Sequence, residues 1–342
     1  MQPVLGWTGE SLWTKALASA IAPAVDCSRE FRAIAQAEGA INSFRWGFAV
    51  KVAVLGLGLM GAPLAGRLLE TGAQVVVWNR TGAKAQQLQD RGAIAVDSVT
   101  TALERSEVAI AMVSDGAALR EILLTDPARS ALAGKTIIQM GTIAPDESRA
   151  IAAEVTAAGG EYLEAPVLGS IPEAKQGTLL LMVGSTAEQF ARWRPLLQTF
   201  GPEPLHAGPV GAGAALKLAM NQLIVTLTTG FAASLGLVQR EGVPVEAFLS
   251  ILRSSALYAP TFDKKLQRML DRNFENPNFP TKHLLKDANL FASAAEAAGV
   301  DARAVVAAGR IIEGAIAQGH GNGDYSAIFD VICPQGWEKA EG

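Results

Sequence analysis

The stretch Lys51–Thr81, KVAVLGLGLMGAPLAGRLLETGAQVVVWNRT, decides the fold. Its opening run, KVAVL, reads as a buried parallel strand and feeds straight into Gly56-x-Gly58-x-x-Gly61. Met60, Leu64, Leu68 and Leu69 then recur at helical spacing, with Arg67 and Glu70 outside the stripe. A second apolar run, Val75–Trp78, ends on Asn79-Arg80-Thr81. Strand, glycine turn, helix and strand in about thirty residues make one βαβ unit. Each glycine has its own task. Gly56 allows the tight turn, Gly58 lets a pyrophosphate approach the backbone, and Gly61 lets helix and strand pack closely. The helix start adds free N–H groups and the positive end of its dipole. Gly56, Leu57, Gly58, Leu59, Met60 and Gly61 are therefore expected to hold a dinucleotide.

The end of the second strand selects the cofactor. NAD-binding versions of this unit place a carboxylate there for the ribose 2′-hydroxyl. Asn79, Arg80 and Thr81 stand in its place, so a 2′-phosphate meets a guanidinium and a hydroxyl instead of a repelling charge. The expectation is NADP(H); a solvated arginine in a turn is the competing reading.

The remaining composition narrows the class. A chain of 342 residues has room for two cores. A formal net charge of −4 leaves no basic excess for a nucleic acid or an acidic membrane. Cys27 and Cys333 lie at opposite ends and the three histidines, His206, His283 and His320, are scattered, so no metal site is expected and a reducing cytoplasm fits. Residues 1–49 read differently from the rest, with Trp7, Trp13 and Trp46 and no positive start for a signal peptide. They are expected to be an appendage outside the fold.

After Asn79 the pattern keeps alternating helix and strand, as a doubly wound sheet requires. Val108–Val113 reads as a central strand, and its end places Met112 and Val113 beside the cofactor. A strand at Lys135–Gln139 leads to Thr142, set to face the nicotinamide half. The Leu168-Gly169-Ser170 turn, near a helix start, would present N–H groups to an anion. His206 ends a strand without a catalytic role, and the first domain closes by residue 210.

Gly211–Glu241 reads as one long helix that spans roughly 45 Å at 1.5 Å per residue. Its uninterrupted apolar part, Leu223–Val238, is short for a membrane span, so it reads as the buried spine of a helical domain or oligomer. Gly213, Lys217 and Asn221 fall on one face, where an idle lysine and asparagine would be costly. A lysine snorkelling from a helix end is the alternative.

With these motifs assembled, the chain resembles the β-hydroxyacid dehydrogenase family, which includes 3-hydroxyisobutyrate dehydrogenases and NADPH-dependent glyoxylate/succinic semialdehyde reductases. The resemblance covers residues 51 to about 331. It rests on GLGLMG at Gly56–Gly61, Thr142-x-x-Pro145, EAPVLGSIPEAKQGTL at Glu164–Leu179, GAALKLAMN at Gly213–Asn221 and KHLLKDANL at Lys282–Leu290. It implies that Lys217 is the catalytic acid/base, that Asn221 and the 166–170 loop hold the substrate, and that Lys286 lines the cofactor end of the cleft. The family usually has Ser-Gly-Gly where this chain has Leu168-Gly169-Ser170, so Ser170 or backbone alone is left to bind a substrate anion.

The expected architecture is a Rossmann-type parallel-sheet domain (50–210), an all-α domain (211–332) joined to it by the long helix, and a tail from Cys333. Phe231, Phe279, Leu257 and Tyr258 are candidates for the cleft wall, with core packing favoured for each. The expected reaction is reduction of a small aldehyde acid by NADPH, with Lys217 giving its proton to the nascent alkoxide. A lysine at its ordinary pKa of ≈ 10.4 would do this untuned. Alternatives are 3-hydroxyisobutyrate-type oxidation, imine reduction and a silent NADP-binding module. A homodimer or homotetramer through the helical domain is also expected.

Overall fold

In a sheet covered on both sides every strand residue is buried, and β1 (Lys51–Leu55) shows it: all but Lys51 are buried. In the computed structural model, which describes residues 50–336, alternate side chains of β1 enter two different cores. Val52 and Val54 join Leu64, Ala65 and Leu68 of helix α1 (Gly61–Glu70). Ala53 and Leu55 face the opposite layer, with Leu103 of α3 (Val99–Glu104) and Leu119 of α4 (Gly116–Leu123). Burying one such side chain fully is worth ≈ 1.5–3 kcal/mol, so both layers favour this register. The reading of residues 1–49 lies outside the described residues.

The strands order themselves as β3-β2-β1-β4-β5-β6. These are β3 (Ile94–Ala95), β2 (Gln74–Trp78), β1, β4 (Val108–Ala111), β5 (Thr136–Gln139) and β6 (Glu161–Glu164). All pair in parallel, the doubly wound order with its switch point between β1 and β4. Helices α2 (Ala83–Gln89) and α5 (Pro145–Ala157) complete the crossovers. Beyond β6 the sheet departs from the expected parallel pattern. β8 (Leu180–Gly184) runs antiparallel to both β6 and the short β7 (Val167–Leu168), and β9 (Leu205–Gly208) is parallel to β8. The six-residue α6 (Ile171–Gln176) is too short to cross the sheet, so β8 turns back; α7 (Ala187–Leu197) then leads to β9.

Helix α8 (Ala212–Arg240) matches the single long helix read from the sequence. It is long and apolar enough to cross a membrane by length and composition, but ten of its residues are buried within the protein. Its first turns lie on β8, where a Cβ at Gly213 would overlap the Met182 carbonyl. Its later turns build the helical core with α9 (Val245–Ser254), α10 (Pro260–Asp271), α11 (Thr281–Ala297), α12 (Arg303–Ala317) and α13 (Ile328–Ile332). Phe231 stacks on Phe262 at 4.7 Å in that core. The core also contains an ion pair: both Asp324 oxygens accept from Lys265 Nζ at 2.8 Å. The expected tail begins later than Cys333, which is buried and whose carbonyl accepts from Arg272 at 2.7 Å.

Candidate active site

The glycine turn between β1 and α1 leaves donors open. Gly56 sits at φ +96, a conformation glycine adopts freely, and its N–H donates to the Trp78 carbonyl at 2.9 Å. A Cβ at Gly61 would overlap the Gly56 carbonyl oxygen, whereas one at Gly58 would meet nothing within 4 Å. Gly61 is thus required for packing, and Gly58 faces open space, into which a pyrophosphate would fit. Leu57 and Asn79 take different places from those expected. The Leu57 N–H is held by Asn79 Oδ1 at 2.8 Å, and Asn79 Nδ2 donates to the Thr81 carbonyl at 3.0 Å. Both therefore brace the turn from within. Among the described residues no acceptor takes the N–H groups of Gly58, Leu59 and Met60, so a dinucleotide phosphate fits this cradle. Arg80 and Thr81 are exposed at the β2 end, and no Arg80 partner is found among the described residues.

Across the switch point, Met112 and Val113 are half-buried at the end of β4, and a Cβ at Gly56 would press on the Met112 carbonyl. The helical domain reaches this edge through Lys286. Its ammonium donates to the backbone carbonyls of Ser114, at 2.9 Å, and Thr142, at 2.7 Å. One lysine on α11 thereby pins the loops after β4 and β5. Asp115 caps α4 beside it through the Ala118 N–H at 2.8 Å. Burial would raise the Asp115 carboxyl, but the Ala118 and Ser114 hydrogen bonds and the Lys286 charge outweigh it and hold it low.

Lys217 stands half-buried on α8, one turn before Asn221. Burial lowers its pKa from 10.5 to about 8; Asp287 opposes the shift and Lys286 adds to it. The expectation of an untuned lysine is therefore corrected. Asn221, 1% exposed, donates from Nδ2 to Asp287 Oδ2 at 2.6 Å, and Asp287 Oδ1 lies 3.0 Å from Lys286 Nζ. The Asn221 Oδ1 is buried and meets no partner among the described residues. Lys217, Asn221, Asp287 and Lys286 thus form one charged cluster where α8 and α11 approach the sheet edge.

At the 168–170 turn the structure bears on one of two expected alternatives. Leu168 and Ser170 are half-buried and Gly169, at φ +135, is exposed. Ser170 or backbone alone was expected to bind a substrate anion; the Ser170 N–H and hydroxyl both donate to Glu173 Oε2, at 2.8 and 2.6 Å, which leaves the backbone alternative. These two bonds form a capping box for α6, which uses both donors internally. The spacing Ser170-x-x-Glu173 announces such a box, so the signal was present in the sequence.

Other residues gave no local signal. Glu164, 1% exposed at the end of β6, accepts the N–H groups of Gly211 at 2.8 Å and Ala214 at 3.0 Å through Oε1. Ser148 donates to its other oxygen. A buried carboxylate so placed satisfies the first turn of α8, which sets the start of the helix bearing Lys217. His283 lies one turn before Lys286; burial first, then Lys286 and Lys282, lower its pKa against Asp287 and Asp115. His206 does stay outside the cluster, with Nε2 3.0 Å from the Ser185 carbonyl and its ring stacked on Phe190. Phe231 belongs to the helical core, Phe279 packs edge-on against Tyr325, and Leu257 is 78% exposed.

Residues 51–208 match the NAD binding domain of 6-phosphogluconate dehydrogenase, and residues 211–332 match the NAD-binding domain of NADP-dependent 3-hydroxyisobutyrate dehydrogenase. The chain is 30% identical to glyoxylate/succinic semialdehyde reductase 1 of Arabidopsis thaliana, over 83% of this chain and 98% of that protein. It is equally similar, 30% over 83% and 98%, to the NAD-dependent L-serine dehydrogenase of Pseudomonas aeruginosa. A 3-hydroxyisobutyrate dehydrogenase of Mycobacterium tuberculosis, solved with L-serine, shares the fold at a TM-score of 0.76 and 24% identity, over 83% of this chain and 99% of that one.

Proposed function

This chain belongs to the β-hydroxyacid dehydrogenase family of NAD(P)-dependent oxidoreductases, and on that premise we propose that it reduces a small aldehyde with NADPH. Aldehyde acids of the glyoxylate and succinic semialdehyde kind are the candidate substrates, supported by the similarity to the Arabidopsis reductase. The observation that carries the reading is Lys217, a lysine with a pKa of about 8 in a cluster at the sheet edge.

When bound, a reduced nicotinamide supplies the hydride. The chain's own residues do the rest. Below pH 8 Lys217 is protonated and gives its proton to the carbonyl oxygen as negative charge develops there, a transfer typically worth ~10²–10⁴-fold. Asp287 holds Asn221 in place and offsets the charge of Lys217 and Lys286. Lys286 fixes the loops that border the cofactor edge. Support for NADPH over NADH comes from Arg80, an exposed guanidinium at a strand end that carries no carboxylate.

The same lysine supports a second reading. Above pH 8 it becomes neutral and can accept a proton, which suits oxidation of a hydroxy acid. A homo-oligomer completes the proposal, because Leu223, Leu227 and Leu237 stand 48%, 38% and 65% exposed along one side of α8. Light scattering on the purified chain tests that part.

The function is tested by a cofactor-oxidation panel over glyoxylate, succinic semialdehyde, methylmalonate semialdehyde and a cyclic imine, each with NADPH and NADH. Turnover of an aldehyde acid, faster with NADPH and slower above pH 8, is the expected result. Imine turnover alone, or an NADH preference, would overturn the reading.

A further inference from the structure

Helices α3, α4 and α7 cap their first turns with the residue that precedes them. Ser98 takes the Thr101 N–H, Asp115 that of Ala118 and Thr186 that of Gln189. Such a local cap ends a helix without saying where the helix lies. Helix α8 is held differently. Gly211 precedes it at φ +100 and has no side chain to cap with. The acceptor is Glu164 Oε1 on β6, which lies 47 and 50 positions from its two donors, the Gly211 and Ala214 N–H groups. A cap supplied by a strand fixes the helix to the sheet.

Two glycines clear the space for this contact. A Cβ on Gly184 of β8 would come within 2.3 Å of Glu164 Oε1, and one on Gly213 within 3.2 Å of it and 2.3 Å of the Met182 carbonyl oxygen. The other carboxylate oxygen accepts from Ser148 of α5, whose hydroxyl lies 2.9 Å from that of Tyr162. Glu164 is also in register with Gln139 at the end of β5, the strand that leads to Thr142 at the cofactor edge. Lys217 follows Ala214 by three residues, one turn along the same rigid helix. A further turn on, Asn221 is held by Asp287 at 2.6 Å. Lys217 therefore stands between two fixed points, one on the sheet and one on α11.

We propose that Glu164 is a positioning residue for the proton donor: it sets the depth and rotation at which Lys217 enters the cluster with Asp287 and Lys286. The inference rests on Lys217 as the donor in carbonyl reduction. Hydride and proton must reach two adjacent atoms of one carbonyl, so the sheet and the lysine need a common reference; a misplacement of about 1 Å can cost ~10²-fold. Once released from Glu164, the first turn of α8 admits water towards Lys217. Burial is the largest cause of that lysine's low pKa, ahead of the opposing Asp287 and the reinforcing Lys286, both on α11. Facing Glu164 itself are Ser148 of α5 and Tyr162 of its own strand, with Arg149 of α5 beside Gly211.

The test compares Glu164→Ala and Glu164→Gln in the full chain. Glutamine keeps an oxygen for Gly211 and Ala214 and an N–H for Ser148, so it should stay close to wild-type turnover. Alanine should lower kcat for aldehyde reduction by about tenfold or more while NADPH affinity is kept. Trace acetylation across pH, read by mass spectrometry on the Lys217 peptide, reports the lysine's own titration. Its midpoint should lie near 8 in the wild type and in Glu164→Gln, and be displaced towards 10.5 in Glu164→Ala. A role in stability alone would lower Tm and leave that midpoint in place. An unmoved midpoint in folded Glu164→Ala overturns the inference, as does a glutamine variant that behaves like the alanine one. If Glu164→Ala does not fold, Ser148→Ala carries the test, because it removes one donor and leaves both helix bonds. Its midpoint should move less but in the same direction, and no movement overturns the inference. If no aldehyde is turned over, the reduction reading fails by itself, and the acetylation midpoint still decides what Glu164 does to Lys217.

Discussion

Two of the glycine turns that lead into helices are treated in opposite ways. At Gly56–Gly61 the internal bonds brace the turn from behind, through Asn79, and leave the N–H groups of Gly58, Leu59 and Met60 to a ligand. At Leu168–Ser170, Glu173 takes both the N–H and the hydroxyl of Ser170. Glycine and a helix start are common to both. What separates them is where the nearest acceptor side chain stands: behind the first turn, and inside the second. A turn's capacity to bind an anion is therefore decided by which donors its neighbours have already taken.

Among the site residues, Lys217 should matter most. Lys217→Ala is expected to cut turnover by ~10²–10⁴-fold with cofactor affinity intact, measured by steady-state kinetics and fluorescence titration. Near-full turnover would move the chemistry elsewhere. In the wild type, reduction should fall as pH rises through about 8, because Lys217 loses its proton there. Stability should behave in the opposite sense. The folded pKa lies below the unfolded one, so the folded state disfavours the ammonium, and stability rises between pH 8 and 10.5. Lys217→Met should flatten that rise in denaturant titrations.

The open turn can be broken from behind. Gly61→Ala puts a Cβ into the Gly56 carbonyl and should cost ~1–3 kcal/mol or more, seen as a lower Tm and lost cofactor binding. A comparable but purely electrostatic change is Arg80→Asp. It should weaken NADPH roughly ten- to a hundredfold, the worth of one charge-assisted contact at ≈ 1.5–3 kcal/mol, and spare NADH. The smallest stability effect belongs to Gly58→Ala, where a Cβ meets nothing within 4 Å. Its Tm should shift by less than ~0.5 kcal/mol equivalent while cofactor affinity falls. A large Tm loss there would mean the turn is internally packed, and the contrast between the two turns would collapse.

The parts of the molecule that were legible in sequence are those that repeat a local pattern. Lys51–Trp78 carries strand, turn, helix and strand within one window, and Ala212–Arg240 advertises its length by unbroken helical spacing. Lys217 and Asn221 were readable because a helix brings residues four apart together. The Lys286 bonds to Ser114 and Thr142, and the Glu164 grip on Gly211, join residues 172, 144 and 47 positions apart. No local period announces such pairs. The antiparallel β7–β8 pairing escaped for a related reason: β7 is two residues long and has no alternation to read. Lys217's depressed pKa depends on how much water the folded surroundings exclude, which spacing alone does not encode.

The reach of Lys286 has a consequence for how the protein is made. During synthesis the glycine turn has all its own bracing once Thr81 has left the ribosome. The opposite edge of the cofactor site waits for a residue 144 positions beyond Thr142. A nascent chain that ends before α11 therefore has its phosphate cradle but lacks the two Lys286 ties to the loops across from it.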